Sequence, residues 1–165
     1  MSRSVESLKS HSLRRMFLSI GIVMILLVGS FKLSGLRVGI NLTRSQPDWV
    51  YIISPVKVIR RGEKVAFLFQ GSRYYPAGTL FVKEVVGLPG DRIENSSEAV
   101  WINGEKVGAV RATDSEGRAV APFVYRGRIP KGAYFVMAHA PNSYDSRYFG
   151  WVEEKQIIGE VIPLF

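Results

Sequence analysis

The stretch Phe81–Asp91, FVKEVVGLPGD, places two charged residues inside an apolar segment and then ends in a Pro-Gly turn. Side chains alternate between the two faces of a strand, so Lys83 shares a face with Phe81 and Val85 while Glu84 lies on the opposite one. We predict that one of these charges faces the core. A buried charge costs free energy unless it is paired or neutralised, so it either has a structural partner or belongs to a functional site.

The rest of the chain after residue 36 also has the pattern of β-strands. Short apolar segments alternate with clusters of Gly, Pro, Asn and Asp, which is typical of strands joined by turns. The predicted strands are residues 49–54, 64–70, 80–87, 91–95, 99–104, 134–140 and 156–165. Asn103-Gly104 predicts a hairpin turn, and the polar segment 111–132 predicts a long loop or a loose hairpin. The predicted fold class is mainly β and antiparallel, preceded by one N-terminal helix.

That helix is predicted from an apolar run, MFLSIGIVMILLVGSF, at residues 16–31. The run is short, but it spans a bilayer if the apolar residues up to 36 contribute and Lys32 extends to the lipid head groups. We therefore predict a basic cytoplasmic N-terminus at 1–15, a transmembrane anchor at 16–36 and a β-rich domain at 37–165. A cleaved signal peptide is the alternative, although no small-x-small cleavage site follows the run.

Composition narrows the functional classes. The formal net charge of +8 suits either nucleic acid or an anionic membrane surface. Several of the positive charges flank the apolar run, and no basic-aromatic recognition pattern is present, so we predict a lipid bilayer and not nucleic acid as the partner. The absence of cysteine excludes disulfides and a thiol nucleophile, and with two histidines we expect no metal and no cofactor.

Lys83 is the first candidate for a catalytic residue. A serine nucleophile needs a base, and a lysine held neutral by burial is one known solution. Lowering its pKa from about 10.4 to about 7–8 costs roughly 4 kcal/mol, which apolar surroundings can supply. Two alternatives stay open: Lys83 is paired with an acid on an edge strand, or His139 and Asp145 activate a serine as a triad.

The segment INLTRSQPDWVYI, residues 40–52, offers a serine for that base. Ser45 lies just before a predicted strand, where a turn exposes a side chain beside its own backbone N–H. The Thr43 hydroxyl is a candidate second donor to an oxyanion. Ser-x-Pro is also a common start of a turn, and this simpler interpretation applies equally to the segment taken alone.

The segment NSYDSRYFG, residues 142–150, supplies a third group of polar residues. Ser143 is placed to orient a lysine amine, and Asp145 and Arg147 to fix the loop that carries it. The alternative is a solvated turn held by an Asp145–Arg147 pair.

Together the three segments resemble the type I signal peptidase family, whose members use a Ser/Lys dyad on a β-rich periplasmic domain anchored by an N-terminal helix. The resemblance covers roughly residues 40–165. It implies that Ser45 is the nucleophile and Lys83 the general base, that Thr43 and the Ser45 N–H form the oxyanion hole, and that Ser143, Asp145 and Arg147 support the lysine.

Within the family, INLTRSQP and APNSYDSRYFG are most similar to TraF-like peptidases of conjugative transfer systems, which mature a pilin precursor and in some members close it into a ring. This subgroup implies an inner-membrane, single-pass serine peptidase with a periplasmic catalytic domain and a pilin as its substrate. Gln46, Glu84 and the start of the last motif depart from the housekeeping signal peptidases. A general signal peptidase for secreted preproteins, and a catalytically inactive assembly module of a transfer machine, remain as alternatives.

Overall fold

The structure is a computed structural model that describes residues 20–26, 29–30, 35, 37–40, 50–55, 58–114 and 116–163. Residues 1–36 and 37–165 form two separate compact units. In the first unit, residues 20–26 and 29–30 are helical. Among the described residues, no helix is both long and apolar enough to cross a bilayer. Much of the predicted anchor at 16–36 lies outside these residues, and the anchor stays a prediction.

The second unit is mainly β, and every strand pair in it is antiparallel. The strands are β1 Arg37–Ile40, β2 Val50–Ser54, β3 Lys64–Leu68, β4 Leu80–Gly87, β5 Arg92–Asn95, β6 Ala99–Ile102, β7 Glu105–Ala109, β8 Tyr125–Arg128, β9 Ala133–Met137, β10 Val152–Glu153 and β11 Ile157–Pro163. A short helix, α1 (Ser146–Phe149), and a 3-10 turn, Glu154–Gln156, lie between β9 and β11. The prediction of a mainly β, antiparallel fold is confirmed.

Within the described part of the chain, the strands form two sheets. The larger has the order β1-β2-β11-β3-β4-β9-β10, and the smaller has the order β7-β6-β5-β8. One apolar cluster joins the small sheet to β9 and includes Ile93, Val100, Ile129 and Phe135. β9 is paired with β4. The packing of the small sheet against β9 therefore also helps to hold β4 in position.

Each predicted strand lies at the position of a strand in the structure. For β4, the predicted first and last residues are also those observed. The hairpin predicted at Asn103-Gly104 is confirmed between β6 and β7, and both residues have positive φ, 52° and 90°. Asparagine and glycine adopt this conformation more readily than other residues, which is why the dipeptide is a strong turn signal.

The segment 111–132 is more ordered than predicted. It contains β8, which pairs with β5, and a bridge between Thr113 and Ala119. The prediction of a loop or loose hairpin is wrong for residues 125–128. Their sequence, YRGR, lacks an apolar alternation, and the strand exists because β5 offers a free edge for pairing.

Candidate active site

Lys83 lies in the interior of the large sheet. Its strand, β4, is paired with β3 on one side and β9 on the other, and Val65 of β3 is its cross-strand partner. The side chain of Lys83 is 5% exposed and that of Val85 is fully buried on the same face. Of the two charges in the opening stretch, Lys83 is therefore the one that faces the core. The edge-strand interpretation of Lys83 is wrong.

The amine of Lys83 is bound by one hydroxyl. Its Nζ atom donates to Ser143 Oγ at 2.7 Å, across 60 residues of sequence, and it lies 5.4 Å from the centre of the Phe81 ring. Ser143 is itself buried. The hydrogen bond fixes the direction of the amine without adding a negative charge next to it, so it does not hold the lysine in the protonated state as a carboxylate would.

The surroundings of Lys83 favour its neutral form. Burial lowers its pKa from 10.5 to about 8, while the charge of Asp145 raises it and that of Arg147 lowers it. With this pKa, about a tenth of the lysine is neutral at pH 7. A neutral amine accepts a proton from a hydroxyl, so the group is suited to act as a general base near neutral pH.

This lowered pKa leads to a prediction about stability. Between about pH 8 and 10.5 the unfolded chain binds a proton at Lys83 that the folded protein does not, so the contribution of Lys83 to stability rises with pH across that window. Relative to Lys83→Met, we expect the free energy of unfolding of the unchanged protein to increase by about 2 kcal/mol between about pH 7.5 and 9.5. Urea unfolding of both proteins at the two pH values measures this difference. Two proteins with the same pH dependence would contradict it.

Glu84, the next residue, points to the other side of β4. Its carboxylate lies 3.5 Å from Nδ1 of His139, and the two residues line a cavity of about 420 Å³ together with Met137 and Arg111. His139 is 75% exposed. The acidic neighbour of His139 is therefore Glu84. The carboxylate of Asp145 accepts its hydrogen bonds from Ala138 and Arg147 instead. The prediction of a His139–Asp145 triad is wrong.

Asp145 and Arg147 form a buried ion pair directly after Ser143. Asp145 is 0% exposed and Arg147 is 3% exposed, and Arg147 Nη2 lies 2.7 Å from Asp145 Oδ2. The carboxylate also accepts from the backbone N–H groups of Ala138 and Arg147, and it caps the N-terminus of α1. The alternative of a solvated turn is wrong, since both side chains are enclosed by the protein.

The guanidinium of Arg147 connects this loop to its surroundings. It donates to the carbonyl oxygens of Ala109, Ala140, Pro141 and Ser143 at 2.9 to 3.4 Å. Because one of these carbonyls belongs to Ser143, the ion pair holds the backbone of the residue that binds the lysine amine. Ser143 thus contacts Lys83 directly, and Asp145 and Arg147 hold Ser143 in place.

Sequence analysis missed Asn95, which also supports this loop. Its side chain is 1% exposed, and its Nδ2 atom donates to the carbonyl oxygens of Phe123 and Arg147. The residue lies on β5 of the small sheet, 52 positions before Arg147. Nothing in its local sequence, RIEN, distinguishes it from an exposed polar residue at the end of a strand.

Ser45 and Thr43, the predicted nucleophile and oxyanion-hole hydroxyl, lie outside the described residues. Their roles stay predictions. The described part of the candidate site is therefore the base side: a buried lysine of lowered pKa, the serine that binds it, and the ion pair that holds that serine.

Several known proteins are similar to this chain in sequence. A family model described as signal peptidase, peptidase S26, matches residues 10–165. The conjugal transfer protein TraF of Agrobacterium fabrum is 45% identical over 86 residues, which cover 51% of this chain and 48% of that protein. Signal peptidase I of Bacillus caldolyticus is 36% identical over 92 residues, which cover 49% of this chain and 50% of that protein. The chain thus matches about half the length of these curated relatives.

A solved structure, a signal peptidase I from Enterococcus faecalis, has a TM-score of 0.43 and 26% identity, and the match covers 64% of this chain and 97% of that one. The family model extends over nearly the whole chain, including every residue proposed for the site. The resemblance stated from the motifs is confirmed: the chain belongs to the signal peptidase family, peptidase S26, a family of serine peptidases that use a Ser/Lys dyad.

Proposed function

We propose that this chain is a membrane-anchored serine endopeptidase that removes a leader or propeptide segment from a conjugative pilin precursor. The observation that carries the proposal is the buried amine of Lys83, which has a pKa of about 8 and is bound by Ser143. The similarity to a conjugal transfer protein TraF supports the pilin as the substrate.

In the proposed mechanism, Ser45 Oγ attacks the carbonyl carbon of the scissile bond while neutral Lys83 takes the hydroxyl proton. The Ser45 N–H and the Thr43 hydroxyl stabilise the negative charge on the carbonyl oxygen. When the C–N bond breaks, the protonated lysine returns its proton to the leaving amine. The acyl-enzyme ester is then released by water, or by an amine of the pilin when the product is a ring.

The proposed location follows from family membership and from the apolar run. Signal peptidase I family members are membrane-anchored and have a catalytic domain outside the cytoplasm. We infer a cytoplasmic segment at 1–15, a span at 16–36 and a periplasmic domain at 37–165 in an inner membrane. The bilayer would then hold the enzyme beside a substrate that is itself in the membrane.

A general signal peptidase for secreted preproteins is the second candidate, favoured by the 36% identity to signal peptidase I of Bacillus caldolyticus. The two candidates differ in the number of substrates. Deletion of the gene would leave one unprocessed precursor under the pilin proposal and many under the general one, and mass spectrometry of membrane and secreted proteins counts them.

The test of the proposed function is the intact mass of the candidate pilin from cells that carry the unchanged protein, Ser45→Ala or Ser97→Ala. Ser97 is an exposed serine in the turn between β5 and β6, and its replacement is the matched control. We expect the shortened pilin with the unchanged protein and the control, and the precursor alone with Ser45→Ala. A product one water lighter than the trimmed linear chain would indicate ring closure. Equal processing with Ser45→Ala would contradict the mechanism.

A further inference from the structure

A cluster of aromatic rings lies beside Lys83, whose Nζ atom is 5.4 Å from the centre of one of them, Phe81. Its members, which we call the ring cluster, are Phe67, Phe69, Tyr74, Tyr75, Phe81, Tyr144 and Phe149. Tyr144 contacts Phe69, Tyr74, Tyr75 and Phe149 at ring distances of 5.1 to 6.1 Å. It also lies between Ser143 and Asp145 in the sequence, so this ring connects the cluster to the residues that hold the lysine.

A cavity of about 290 Å³ opens beside these rings. Its walls include Tyr74, Tyr75, Tyr144, Tyr148 and Val120, and Ser143 also lines it. The hydroxyl of Ser143 is the group that binds the amine of Lys83, at 2.7 Å, so the cavity shares one residue with the base side of the candidate site. The volume lies just below the range of about 300–1,000 Å³ that is usual for ligand pockets, which suits one large side chain better than a whole small molecule.

The cavity wall is held in place by charged side chains. The guanidinium groups of Arg73 and Arg118 lie 4.8 Å and 5.9 Å from the centre of the Tyr74 ring, and Arg73 also donates to the carbonyl of Ala119. These contacts tie the hairpin that carries Thr113 and Ala119 to the segment that carries Tyr74. A wall fixed in this way loses little conformational entropy when a ligand binds.

The three charged side chains of the lining are paired with one another. Arg118 pairs with Asp114 and with Glu116, each at 2.8 Å. The rest of the lining combines four tyrosine rings and Val120 with the polar residues Thr113, Asn142 and Ser143. The four tyrosine rings favour an aromatic group, which gains from burial and from edge-to-face contacts with them.

We propose that this cavity is a specificity pocket that binds an aromatic side chain of the peptide substrate within a few residues of the bond that is cut. The inference rests on the proposed peptidase function, since it assigns the ligand to the substrate.

The binding test uses the full chain in detergent micelles with ¹³C-labelled valine methyl groups. The probes are N-acetyl-L-phenylalanine amide and N-acetyl-L-alanine amide, and the readout is the methyl resonance of Val120, which is 8% exposed at the pocket wall. Thr113→Trp fills the mouth of the pocket, and Glu98→Trp places the same side chain in an exposed turn as the control. We expect the phenylalanine probe to bind about tenfold or more tightly than the alanine probe. Thr113→Trp should abolish this difference and Glu98→Trp should not.

The cleavage test uses the same proteins with a mixture of peptides of random sequence, whose cut sites are read by mass spectrometry. We expect aromatic residues to be enriched at one position within three of the cut, and Thr113→Trp to remove this enrichment. Cleavage with an unchanged preference in Thr113→Trp, or equal binding of the two probes, would overturn the pocket and leave the peptidase function in place. Aromatic binding without any cleavage would instead contradict the proposed function and the assignment of the ligand to a substrate.

Discussion

Lys83→Ala is expected to lower kcat/KM for the precursor by about a thousandfold or more, because it removes the group that takes the serine proton. The rate of the unchanged protein should rise with pH and level off above about pH 8, where Lys83 becomes neutral. Lys83→Arg should be equally inactive, since a guanidinium stays protonated at these pH values. Rates measured on a purified precursor between about pH 6 and 10 test the three proteins together.

Lys106→Ala is the matched control for this prediction. Lys106 is an exposed lysine on a strand of the small sheet, so its removal takes away a lysine side chain without touching the buried amine. Its rate should equal that of the unchanged protein at every pH. A Lys83→Ala protein that is folded and cleaves at a normal rate would exclude Lys83 as the base.

The sequence predicted the position of Lys83 because the relevant signal is local. Alternation along β4 places Lys83 with Val85 on one face and Glu84 on the other, and a PG turn ends the segment. The structure agrees with both bounds of this strand and with the burial of Lys83. What the alternation could not decide was which of the two charges is buried, since that depends on which face of β4 receives the apolar rings.

Contacts between distant segments were the part that sequence analysis missed. The strand β8 depends on the edge offered by β5, and Asn95 is buried because it bonds to Arg147, 52 residues away. The ring cluster likewise combines residues from segments around 67, 74, 81 and 144. None of these segments is unusual alone, and their common position follows from the order of the strands.

Arg147→Met is expected to have the largest effect on stability. It leaves the carboxylate of Asp145 at 0% exposure with its charge unpaired, and removal of one partner of such a pair costs about 3–5 kcal/mol. Arg126→Met is the control, because Arg126 and Glu94 form an exposed pair at 3.3 Å whose loss should cost less than about 1 kcal/mol. Urea unfolding of the three proteins measures both differences. Similar costs for the two variants would contradict the structural role of the buried pair.

The same pair also affects the pKa of Lys83, and this effect separates electrostatics from general damage to the loop. The charge of Arg147 lowers the pKa of Lys83 and that of Asp145 raises it. In the fraction that stays folded, Arg147→Met should therefore move the pH–rate curve to higher pH, whereas Asp145→Asn should move it to lower pH. A loop that is merely disordered would lower the rate in both variants without moving the two curves in opposite directions. Opposite displacement would mean that the ion pair, besides fixing Ser143, helps to set the pH at which Lys83 becomes neutral.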